Sequence, residues 1–169
     1  MVNNIDTNAH IKRDEFIFEL IRKRMDDEFE RINNLDNKAN NIIGFTSLIV
    51  GILVGIGTLE IFSKTELYYS FIYLIGIGML LTSILYSLWA FKVRKWTVVP
   101  KVQTLIAKYT TLEYEEVLKR NAGEMAKAVL ILEKNNDEKA RFLILSWYSL
   151  ISGLSILFIF IIVSFLLTR

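Results

Sequence analysis

Three long apolar runs, Asn41 to Phe62, Tyr68 to Phe91 and Phe142 to Leu167, dominate this chain, with Glu60 the one charged residue inside them. Each exceeds the roughly 20 residues a helix needs to cross the hydrocarbon core of a bilayer. The expected fold is therefore an all-α membrane protein. It has three transmembrane helices and a cytoplasmic helical bundle formed by extensions of spans one and three. The segmentation reads as a tail and amphipathic helix over 1–40, a transmembrane hairpin over 41–91 (spans 41–62 and 68–91), a cytoplasmic helical segment over 92–141, and a third span over 142–169.

Of the 169 residues, roughly 100 lie outside the spans, close to the lower limit for a separate globular core. A net charge of +2, with basic and acidic residues interleaved, gives no basic stripe for nucleic acid. The absence of cysteine removes thiol catalysis, disulfides and thiolate metal sites together. The first forty residues are charged throughout and lack a signal-peptide pattern, so the first span is expected to drive insertion.

Basic side chains are retained on the cytoplasmic side of a membrane. Lys38 precedes span one, Lys92, Arg94 and Lys95 follow span two, and Lys139 and Arg141 precede span three. The short Ser63 to Leu67 connection has only Lys64, beside Glu60 and Glu66. The N-terminus and central block are thus expected in the cytoplasm, and the connection and Arg169 outside. Rings of Trp and Tyr favour the headgroup level, which assigns Trp89, Trp96 and Trp147 to the inner edge and Tyr68, Tyr69 and Tyr73 to the outer one.

Ahead of span one, Phe18, Ile21, Met25, Ile32, Leu35 and Ala39 fall at alternating spacings of three and four, interrupted only by Glu28. That pattern predicts an amphipathic helix from Asp14 with a narrow apolar seam, running into span one; the Asn33 to Asn41 asparagine cluster offers a place to bend, and His10 is assigned to a loose tail. Pro100 breaks the chain after span two. A short helix is expected over 101–108, and Thr110 with Glu113 reads as a capping box opening a longer one. Leu118, Ala122, Met125, Ala126, Val129 and Leu132 then offer a face to the N-terminal helix.

Asp36-Asn37-Lys38-Ala39 enters span one and Asp137-Glu138-Lys139-Ala140 enters span three. This echo reads either as two similar anchors, with Asp36, Lys38, Asp137 and Lys139 fixing depth at the headgroups, or as a true repeat. No ionisable group sits deep in a span, which argues against pumps and ion-coupled transporters. What the spans do carry is small residues at helical spacing: Ser47, Gly51 and Gly55 in span one, Ser83 and Ser87 in span two, Ser149 and Gly153 in span three. Close backbone approach and serine hydrogen bonds hold helices together in lipid. These faces are read as packing within one chain or contact between copies of a homo-oligomer, and a ring of copies would line a pore with Thr46, Ser47, Thr58, Ser83 or the Ser146 to Ser155 series. No metal site, cofactor, phosphate loop or nucleophile paired with a base is visible, so an enzyme is not expected.

The run from Leu35 to Gly44, an acid-x-Lys-Ala step leading from a charged helix into a hairpin of spans, resembles the start of the Pycsar-type transmembrane effector family and related prokaryotic membrane effectors. The later Lys139-Ala140-Arg141-Phe142, followed by Trp147, Tyr148 and Gly153, is similar to that family's final span. The resemblance implies an antiphage effector of the inner membrane that a cyclic nucleotide triggers to impair the membrane. No cyclic-nucleotide-binding module is recognisable. Lys101, Lys108, Lys119 and Arg120 are the basic residues available for a ligand phosphate, and equally read as solubilising surface charge. Two rival expectations stand beside it: a non-catalytic anchor docking a soluble cytoplasmic partner, and an enzyme acting on lipid through Asp36 and Asp137.

Overall fold

The computed structural model describes the backbone of residues 3–64, 67–92 and 112–167, and the side chains of residues 10–55, 70–92 and 112–166. Its elements are three helices: α1 (Asn3–Lys64), α2 (Leu67–Ala90) and α3 (Tyr114–Leu167). Among the described residues there is no strand. Each helix contains a stretch long and apolar enough to cross a membrane. The chain is a multi-pass membrane protein.

α1 is unbroken from Asn3, so His10 lies in helix where a loose tail was expected. It also passes through the Asn33 to Asn41 cluster without interruption. The start of α3 departs from expectation too. Val117 N–H donates to the carbonyl of Glu113 at 3.0 Å, the first bond of the helix, which makes Glu113 the cap residue. Glu113, anticipated as the third residue of a capping box, instead precedes the helix, with Glu115 and Glu116 in the first turn, where the positive end of the helix dipole favours carboxylates; Thr110 lies outside the described residues. The expected 101–108 helix and Pro100 lie outside the described residues.

The chain forms two compact units. In unit 1, residues 1–33 and 94–136, α1 and α3 run parallel. Asp14 faces Lys119, Arg24 faces Glu133 and Glu28 faces Asn136, numbers rising together on both helices. Leu118, Ala122, Val129 and Leu132 on α3 are buried, as is Ile32 on the α1 seam, and Ile21 and Met25 are partly so. A three-four alternation advances 3.5 residues per turn, the spacing that keeps one stripe facing a parallel partner.

In unit 2, residues 34–93 and 137–169, α2 runs antiparallel to both neighbours. Tyr73 near its start donates to the Leu53 carbonyl and meets the Phe160 ring at a tilt, while Ala90 at its end packs with Ala39, Ile42 and Leu143. The outward faces carry Phe45, Leu48, Phe71, Leu85, Ile151 and Phe158, each about half exposed or more. Such a surface is costly in water and matched to hydrocarbon.

Candidate functional site

The interior of unit 2 is layered. At one end the Lys139 ammonium donates to Asp36 Oδ1 at 2.7 Å, joining the lysine of one Asp-x-Lys-Ala copy to the acid of the other. Next comes a small apolar cluster of Ala39, Ile42, Ala90 and Leu143. At the far side lies a larger one of Tyr73, Leu80, Leu150, Leu157 and Phe160, joined by Ile49, Val50 and Leu53. Between the two clusters every helix contributes hydroxyls: Thr46 on α1, Ser83 and Ser87 on α2, and Ser146 on α3, all with no exposed surface.

Ser83 and Ser146 form a reciprocal staple. Ser83 Oγ donates to the Ser146 carbonyl at 2.9 Å and Ser146 Oγ donates to the Ser83 carbonyl at 2.7 Å. The remaining proton of the trio belongs to Ser87, whose Oγ lies 2.8 Å from Ser146 Oγ and can donate to it. One turn along α3, Ser149 donates to the Met79 carbonyl at 2.8 Å. Thr46 Oγ1 alone in this layer finds no hydrogen-bond partner among the described residues. A buried hydroxyl left unpaired costs about 1–3 kcal/mol.

The small residues singled out in the spans divide between two environments. Ser149 and Gly153 face inward against α2. A Cβ on Gly153 would sit 3.0 Å from Leu80 Cδ2 and 3.1 Å from the Gly76 carbonyl oxygen. Gly76, not singled out in the sequence, is tighter still, with a Cβ 2.7 Å from Leu157. Ser47, Gly51 and Gly55 are exposed, and a Cβ on either glycine meets nothing within 4 Å. Trp89 and Trp147 are on the outer face; the Trp89 ring meets Phe142 edge-on at 5.8 Å and Tyr86 at 6.0 Å. Lys38 and Asp137 are exposed beside the partly buried Lys139–Asp36 contact. Trp96 is outside the described residues.

In unit 1 the two basic residues that can be placed are already engaged. Lys119 contacts Glu115 and lies 3.5 Å from Asp14 Oδ2, and Arg120 pairs with Glu116 at 2.7 Å. The Glu115 hydrogen bond raises the Lys119 pKa against the opposing effect of desolvation, with Asp14 adding to the rise. At Asp14, burial works to raise the carboxyl, but Arg13 and Lys119 together outweigh it and hold the pKa below its ordinary value. Any phosphate approaching Lys119 or Arg120 would compete with these carboxylates. Lys101 and Lys108 fall outside the described residues. Glu28, which interrupted the apolar seam, is buried against Asn136, a pairing that the local pattern at either position could not disclose.

Compared with protein families, residues 20–168 match the Pycsar effector protein domain, a span that takes in α1 from Leu20 onward and all three apolar stretches. No curated protein and no solved structure matches the chain.

Proposed function

This chain belongs to the Pycsar effector protein domain family, and on that premise we propose that it is a membrane effector of antiphage defence that, on a cytoplasmic cue, makes the membrane leaky. The family match over 20–168 is the observation that carries this reading. Within unit 2 the hydroxyl layer is where polar side chains lie between two apolar clusters, and Thr46 in it has no hydrogen-bond partner among the described residues. The resemblance points to a cyclic nucleotide as the cue. The positive-inside bias of Lys38, Lys92, Lys139 and Arg141 supports a cytoplasmic unit 1, where such a cue would arrive.

A cue acts only through a difference in affinity between two states. α1 and α3 each contribute residues to both units, so a ligand that favours one pairing of these helices in unit 1 has a covalent route to their membrane segments. The reading is non-catalytic. Exposed Gly51 and Gly55 suit contact with a second copy.

Membrane potential and dye entry, recorded in cells expressing the protein with and without added cyclic nucleotide, test the proposal. Depolarisation restricted to the nucleotide condition supports it. Intact membranes in both, with the protein inserted, would overturn it. That result would favour a non-catalytic anchor, a reading supported by the exposed Phe16, Ile17 and Leu20 on unit 1, which suit a soluble partner.

A further inference from the structure

We propose that the layer of Thr46, Ser83, Ser87 and Ser146 is the water-admitting constriction of the effector, and that its path runs through the interior of a single three-helix bundle, taking water and small monovalent cations. The inference deepens the proposed leak-forming function and rests on it. Four observations in unit 2 carry it.

First, the layer is complete: each of the three helices supplies at least one hydroxyl, and all four residues are without exposed surface. Second, the layer has unused hydrogen-bonding capacity. With the three serine protons directed to the Ser146 carbonyl, the Ser83 carbonyl and Ser146 Oγ, the lone pairs of Ser87 remain available. Thr46 Oγ1 retains an unpaired donor and its acceptors. A buried water needs two to four polar partners, and Thr46 with Ser87 can provide them once the helices part slightly. The closed state thus carries a defect that hydration repairs.

Third, the barrier on one side is the smaller. From the Asp36–Lys139 pair, where water has charged groups to solvate, the buried residues before the hydroxyls are Ala39, Ala90, Ile42 and Leu143, with Leu35, Phe91 and Phe142 packed against them. The opposite cluster, with Leu80, Leu150, Leu157 and Phe160, is the bulkier barrier and the one that must yield for passage. Fourth, the alternative route between copies would be lined mainly with hydrocarbon. The outward faces present Phe45, Leu48, Phe71, Leu85 and Phe158, with Ser47 and Ser155 among them and the latter bonded to the Ile151 carbonyl of its own helix, whereas Thr46, Ser83, Ser87 and Ser146 point to the interior of their own bundle. Hydroxyl and carbonyl oxygens coordinate small cations without a fixed charge, so the path should discriminate weakly among them.

The chain has no cysteine, so introduced thiols report without background. Full-length Thr46→Cys and Ser87→Cys, with lipid-facing Leu48→Cys as control, are reconstituted into potassium-loaded liposomes. The four common 3′,5′-cyclic nucleoside monophosphates serve as the cue, and a charged methanethiosulfonate reagent is the probe. The inference expects potassium release, modification of Thr46→Cys and Ser87→Cys only while release occurs, loss of release after modification, and no reaction at Leu48→Cys. Release with both layer thiols untouched overturns the interior path and leaves the leak-forming function standing. No release from correctly inserted protein overturns that function and the inference with it. Thr46→Val guards against misfolding of the cysteine variants: with the unpaired hydroxyl removed, the bundle should melt no lower than wild type while release slows. A lower melting point with unchanged release would likewise overturn the inference.

Discussion

Asn136 holds Glu28 twice: its amide Nδ2 donates to the carboxylate Oε2 at 2.7 Å and to the Glu28 backbone carbonyl at 3.0 Å. Both residues are buried, and Arg31 approaches the same carboxylate oxygen at 3.6 Å. A polar pair at one level of an otherwise apolar parallel seam sets register, since sliding either helix by a turn would leave a buried carboxylate and amide unpaired.

Asn136→Leu should therefore destabilise unit 1 by about 1.5–3 kcal/mol, the range for a hydrogen bond to a charged group. The double variant Glu28→Leu/Asn136→Leu should recover most of that loss, because an apolar pair removes both desolvated groups. Thermal unfolding followed by circular dichroism in detergent provides the comparison. A double variant less stable than either single one would contradict the account.

Lys139 and Asp36 should behave as a coupled pair. Their side chains are 12% and 31% exposed, so partial solvation limits the coupling. A double-mutant cycle should give about 1 kcal/mol, at the upper end for surface pairs. The exchange Asp36→Lys/Lys139→Asp should regain part of what either single charge reversal loses. Additive losses across the cycle would show that the two charges do not interact.

The glycines separate by environment. Gly76→Ala and Gly153→Ala should each cost about 1–3 kcal/mol by overpacking, because the added Cβ meets Leu157 in one case and Leu80 and the Gly76 carbonyl in the other. Gly51→Ala and Gly55→Ala meet nothing and should leave the melting temperature of the monomer unchanged or slightly raised, as alanine favours helix over glycine. Sedimentation in detergent then tests the outer face. If Gly51→Leu with Gly55→Leu keeps both the oligomer and the leak, that face is not a subunit contact.

Unit 1 should lose stability at both ends of the pH scale through one cluster, formed by Arg13, Asp14, Glu115 and Lys119. The folded pKa of Asp14 is depressed, so its contribution is present above the unfolded value and disappears as pH falls through the folded one. That of Lys119 is raised, so its contribution is present below the unfolded value and disappears as pH climbs through the folded one. Helix melting across pH should show both limbs in wild type. Asp14→Asn should flatten the acid limb, and Lys119→Gln the alkaline one.

The sequence alone determined the three spans and the fold class, because hydropathy and length are summed over whole segments and need no partner to be read. It also determined the α1 seam from Phe18 to Ala39, since a three-four spacing is a property of one helix. Glu28 stood out there as an anomaly, but its explanation lies 108 residues along the chain at Asn136. The Asp-x-Lys-Ala echo was likewise visible, while the joining of Asp36 to Lys139 was not. Only the tertiary structure decided which way each small residue faces: Gly153 and Gly76 turn inward, Gly51 and Gly55 outward. A span is apolar on every side, so its hydropathy carries no inside or outside. That choice is made by close packing between helices and by hydroxyls finding, or in the case of Thr46 not finding, partners across them.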